Sequence, residues 1–142
     1  MDALNAAIVY AYTHDAPYMA AVPGGMWHLK ADEGTPLPLS KFQVVIADAE
    51  YTFGNNNVSS ERYVYKFTAH AENNEQDAGS TLAAITCGHL KRVINAAMLT
   101  VTGYRVLSCA WTHIVPDSIA PGHSGKDEYS QGILVEIIIA PV

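Results

Sequence analysis

Hydrophobic residues recur along the chain with helical spacing in some stretches and strict alternation in others, and their order predicts the elements. Asp2 to Asp15 reads as a helix, with Leu4, Ile8 and Ala11 on one face and Ala7 and Tyr12 beside them. Asp2 can cap its start, where a carboxylate accepts a free backbone N–H and meets the positive end of the dipole. Pro17 is expected to end it, because proline cannot continue the hydrogen-bond ladder and restricts the residue before it. Val22-Pro23-Gly24-Gly25 predicts a turn into a short strand, Met26 to Lys30. Asp32 to Pro38 reads as a connector, since its prolines leave few donors for a ladder.

Phe42 to Phe53 reads as a long strand, apolar on both sides at first and polar on one side from Asp48 onward. Gly54-Asn55-Asn56-Asn57 tolerates positive φ and predicts a hairpin turn. The return strand, Arg62 to Ala71, puts Tyr63, Tyr65, Phe67 and Ala69 on one face and Val64, Lys66, Thr68 and His70 on the other. After a polar loop, Leu82, Ile85, His89, Leu90, Val93, Ile94 and Ala97 mark the strongest helix, with Ser80 or Thr81 as its N-cap. Gly88 weakens its middle and suggests close packing there. Gly103 predicts a turn into a strand from Tyr104 to Val115. Pro116 to Asp127 reads as a loop, long for a hairpin in a compact fold. The last strand, Tyr129 to Ala140, sets Ile133, Val135, Ile137 and Ile139 against Leu134, Glu136, Ile138 and Ala140.

These elements predict an α+β fold: a mostly antiparallel sheet of four to five strands, one long helix packed across it, and a short N-terminal helix, all in a single domain over 1–142. A chain of 142 residues buries roughly 68–70% of its unfolded surface, so it needs no disulfide or metal to hold a core. Charged residues are 15%, against a usual value of about 25%. Surface covered by a partner and a bland Thr/Ser/Asn-rich exterior explain that deficit equally well.

The net charge is −6, and Lys91-Arg92 is the only adjacent basic pair. Gripping a nucleic-acid backbone takes clustered cations that displace counterions, so sequence-specific nucleic-acid binding is not expected. A polybasic membrane anchor is excluded on the same ground. No positive start precedes an apolar run, and no run approaches the ~18 apolar residues of a membrane span. A cytoplasmic protein is therefore expected, with Cys87 and Cys109 as buried free thiols.

The candidate chemistry is thin. His14, His28, His70, His89, His113 and His123 form no HExxH or Hx3–5H pair, so neither metal nor cofactor is expected. Cys87 and His89 lie two apart on a helix and do not face each other. Ser124, His113 and Asp117 could be imagined as a triad, but no GxSxG elbow is present. Gly24-Gly25 and Gly122 to Gly125 lack the phosphate-loop pattern. Asp32-Glu33 and Asp127-Glu128 read as solvated acids. Two features remain: apolar residues on both faces of the last strand, and the aromatic stripe of the first hairpin. One face of each can pack on the main helix, and the other needs cover as well, either from the first helix or from a neighbouring subunit.

Two stretches carry a resemblance. Glu33-Gly34-Thr35-Pro36-Leu37-Pro38 before Phe42-Gln43-Val44-Val45, and Leu82 to Leu99 before Gly103-Tyr104-Arg105-Val106, resemble the tail completion or tail terminator proteins of long-tailed phages. The likeness spans nearly the whole chain and departs at Leu39-Ser40-Lys41, where the family's strand would begin sooner. It implies a structural, non-enzymatic subunit in a virion tail, made in the bacterial host cytoplasm. It further implies a ring of this chain's own copies, typically six, that caps the tail tube, meets the head-tail connector and lets DNA through. An acidic wall would suit that passage. Ser118, Ile119, His123, Lys126 and Asp127, in the long loop, are the candidate contacts with tube or connector. The rivals are a small hydrolase and a ligand-binding α+β module.

Overall fold

The computed structural model describes residues 2–51, 58–74, 76–96, 99–122 and 125–142. Its fold is mixed α/β, with three helices and one five-stranded sheet. The helices are α1 (Asp2–Thr13), α2 (Ala16–Ala21) and α3 (Gly79–Ala96), and the strands are β1 (Met26–His28), β2 (Leu39–Tyr51), β3 (Val58–Glu72), β4 (Tyr104–Pro121) and β5 (Asp127–Pro141). The strand order is β1-β2-β3-β5-β4. The β1–β2 pair is parallel and the other pairs are antiparallel.

The alternation read from sequence decides which face is buried. Phe67 stands opposite Phe42 on one side and Ile133 on the other. Tyr65 likewise faces Val135. Phe42, Tyr65, Phe67, Ile133, Val135, Ile137 and Ile139 are all buried on this face. α3 lies over β3 and β5, presenting Cys87, Leu90, Val93 and Ile94 to them, while α1 packs against β1, α2 and α3. Tyr12 of α1 is wholly enclosed: its ring lies 5.1 Å from Tyr18 and 5.8 Å from Phe67, and its hydroxyl donates to the Leu90 carbonyl at 2.7 Å. The aromatic stripe of the first hairpin is thus covered from within the chain by α3 and α1, with Tyr63 left half-buried.

Among the described residues, the opposite face carries no helix. Arg62 bridges Asp48 at 3.2 Å and Glu136 at 2.7 Å across it, and His70 contacts Glu128 at 2.8 Å.

Four expectations need correction. Pro17 starts a helix instead of stopping one: it occupies the first turn of α2, where its missing N–H costs nothing, and Asp15 caps that turn by accepting from the Tyr18 N–H at 2.9 Å. α3 begins at Gly79, ahead of Ser80 and Thr81, and the Asn73 side chain accepts from the Gly79 N–H at 2.6 Å. Gly88 packs closely on nothing; a methyl there would meet open space. The stretch Pro116 to Asp127 is mostly strand, because β4 runs on to Pro121 and β5 starts at Asp127. An edge strand can absorb proline, and a bulge between Val115 and Ser118 takes up Pro116.

Boundaries also moved. β2 starts at Leu39, β1 ends at His28, and the turn expected at Gly54 to Asn57 lies outside the described residues. The helix expected to be long has 18 residues, about 27 Å at 1.5 Å per residue. β4, also of 18 residues, spans about 60 Å at 3.3 Å each. One helix therefore covers only part of the sheet it crosses.

Candidate functional site

Two groups of exposed large apolar side chains lie on strand edges. Val44, Val45 and Ile46 on β2 are each nearly half exposed. The reason is local. β1 pairs with β2 only at Ser40, Lys41 and Phe42, after which Leu29 turns away at a φ of +64°. From Gln43 onward, no strand among the described residues pairs with that side of β2. The second group is Leu107, Ile114 and Ile119 on β4, the strand at the other end of the order. α3 reaches β4 only in part: Cys109 donates to the Ile94 carbonyl at 3.7 Å, and the Lys91 ammonium sits 4.9 Å from the centre of the Trp111 ring. Trp111 and Cys109 are half-buried as a result, whereas Ile114 and Ile119 stay open at 60% and 63%.

Bulges between Val106 and Ser108, Trp111 and His113, and Val115 and Ser118 break β4 into short regular runs. A partner strand could follow each run for only a few residues, so side-chain contact would carry most of any interface on this edge.

The sequence-derived contact residues fall at the far end of the β4–β5 hairpin. Ser118 pairs with Ser130 and their hydroxyls are hydrogen-bonded; Ile119 pairs with Tyr129. Lys126 and Asp127 are exposed where the chain turns, and the Gly122 N–H donates to the Lys126 carbonyl at 2.9 Å. His123 lies outside the described residues. Four of the five positions thus share one hairpin end, but only Ile119 belongs to the apolar edge. Sequence reasoning missed Leu107 and Ile114. Their signal was present, in a strand with apolar residues on both faces followed by prolines that only an edge strand tolerates.

Of the imagined catalytic groups, Asp117 and His113 each have another partner. Ser124 lies outside the described residues, Asp117 accepts from the Gln131 amide at 2.7 Å, and the His113 ring is engaged with the Thr112 hydroxyl at 3.0 Å. Burial pushes both thiols up, Cys109 to about 11, which favours the neutral form. No three His, Cys, Asp or Glu among the described residues gather to hold a metal ion, and none of their helices is long and apolar enough to cross a membrane.

The open face does hold a hollow of about 260 Å³, lined by Leu29, Phe42, Gln43, Thr68, Ser130, His70 and two lysines, Lys41 and Lys66. Burial depresses the His70 pKa, against the pull of Glu128 beside it; Lys41 and Lys66 add to the depression.

Together these features define a class of fold: a helical layer on one face of a five-stranded sheet, the other face open, and an apolar edge on each side. No family model matches the chain, and no curated protein matches it. A solved chain from the virion of a native gene transfer agent particle has the same fold, with a TM-score of 0.62 and 12% identity over 96% of this chain and 95% of that one.

Proposed function

We propose that this chain is a structural subunit of a phage-type virion, a non-catalytic protein that assembles with other virion proteins. The finer reading is a ring of its own copies, six by the family resemblance, which caps the tail tube and joins it to the head connector. The supporting observation is the pair of apolar edges on opposite sides of one sheet, in a fold that recurs nearly end to end in a virion chain. A closed ring needs two different patches per subunit that fit each other. The β2 edge at Val44 to Ile46 and the β4 edge at Leu107, Ile114 and Ile119 are two different exposed apolar patches, which in this reading would meet between neighbouring subunits. A net charge of −6 suits a passage for DNA, because like charge keeps the strand from sticking.

Light scattering at rising concentration, with and without tail tube, tests this reading. The expected result is a discrete assembly of one size. A mass that stays at one chain under every condition would end the ring reading.

A second reading, a ligand-binding module, is favoured by the open-face hollow alone. The hollow shares Gln43 with the β2 edge, so the two readings bear on neighbouring parts of the same strand.

A further inference from the structure

We infer that the hollow on the open sheet face is a receptor for a carboxylate side chain of another protein chain. The inference rests on the hollow's own residues and not on the ring.

The register explains why cations meet there. Lys41 stands opposite Thr68, and Gln43 stands opposite Lys66, on adjacent rows of the β2–β3 pair. Lys41 and Lys66 are therefore diagonal neighbours on one face, close enough for their ammonium groups to share one anion. Two of the eight basic side chains of an acidic protein are spent here. Neither has a carboxylate partner among the described residues, where the ion pairs belong to Arg62, His70 and Arg92. An anion lodged between the two lysines would be attracted by both charges. The Gln43 amide and the Thr68 and Ser130 hydroxyls supply neutral donors around the same space. Glu128 belongs to the same neighbourhood but is already engaged by His70 at 2.8 Å.

The apolar part of the lining is Leu29, since the Phe42 ring is buried on the helical face of the sheet. Leu29 is the only residue other than glycine with positive φ among the described residues, and its side chain is 59% exposed. Such a leucine costs roughly 1–2 kcal/mol in the left-handed region, and it sits at the rim of the hollow. A side chain with a methylene stem and a carboxylate head matches this lining: stem on Leu29, head between the lysines. Lysines offer point charges in place of the fork that guanidinium gives to phosphate. The net charge of −6 repels a polyanion such as DNA but tolerates a single carboxylate.

The test uses the full, isotope-labelled chain and three separate titrants: glutarate, inorganic phosphate and a short DNA duplex. Amide shifts are followed at Leu29, Gln43, Thr68 and Ser130. Glutarate is expected to give saturable shifts confined to these residues. The double variant Lys41→Gln/Lys66→Gln should weaken them by about tenfold or more, and Lys41→Arg/Lys66→Arg should keep them. Should the glutamine variant fail to fold, the wild-type titration decides alone. Absence of saturable shifts with glutarate, or an unchanged titration in a folded glutamine variant, would overturn the inference. So would tighter binding of phosphate or DNA at the same amides, which would assign the hollow to a phosphate.

Discussion

Replacing Tyr12 by Phe removes one hydroxyl from the centre of the helical layer and leaves everything else in place. The Tyr12 side chain is 0% exposed, and its O–H donates to the Leu90 carbonyl at 2.7 Å, tying α1 to α3 across 78 positions of sequence. Burial holds its pKa well above the ordinary value, so the phenol remains a donor at every ordinary pH. The substitution deletes a net bond worth about 0.5–1.5 kcal/mol and leaves a buried carbonyl short of a donor, a penalty of about 1–3 kcal/mol. Because that carbonyl belongs to a helix, the lower end applies, and the expected loss is about 1–2 kcal/mol. The ring contacts with Tyr18 and Phe67 survive in Phe. Tyr12→Ala loses them too and should cost about 3–5 kcal/mol, as large-to-small aromatic changes do. Urea unfolding measures both, with the denaturant slope unchanged. If Tyr12→Phe costs nothing, or as much as Tyr12→Ala, the account of how α1 is held on the sheet is wrong.

Other substitutions separate the remaining parts of the account. Gly24→Ala would drive a methyl into the Pro36 carbonyl and to 2.5 Å from the Leu39 Cβ, so urea unfolding should show a loss of at least about 1–3 kcal/mol. Gly88→Ala points into open space on an α-helix and should stabilise the fold by about 0.8–1 kcal/mol in the same assay. His70 is held below its ordinary pKa by burial, so between the two values the unfolded chain binds more protons and stability falls as pH drops below about 6.5. Unfolding midpoints at pH 7 and pH 5.5 should therefore differ more in the wild type than in His70→Gln. Ile114→Lys with Ile119→Lys should leave stability within about 0.5 kcal/mol. If a neighbour covers these side chains, which are 60% and 63% exposed, the pair forfeits about 2–4 kcal/mol of burial. Sedimentation would then show association weakened about 30- to 700-fold.

Much of this fold was legible in the sequence because period-two alternation is a direct record of which face is buried. Tyr63, Tyr65, Phe67 and Ala69 on one strand, and Ile133, Val135, Ile137 and Ile139 on another, mark the two strands and the faces that they bury. What stayed hidden was settled by non-local facts. Pro17 and Pro116 read as breaks because proline has no N–H, but one sits in a first helical turn and the other at a bulge on an edge, where no N–H is needed. Whether a strand lies at an edge depends on strand order, which local periodicity does not encode. That is why Ser118 and Ile119 were placed in a loop and Ile114 was overlooked. The hollow was equally invisible: Lys41, Lys66 and Ser130 come together only through the register of three strands.

The central claim is that both apolar edges are covered when copies of this chain assemble. Hydrogen–deuterium exchange, compared between dilute and assembled protein, reads those edges amide by amide. The account predicts slowed exchange on assembly in Gln43 to Ala49 of β2 and in Ser108 to Ile119 of β4 together. An assembly in which the amides of both stretches exchange as fast as in the lone chain would contradict it.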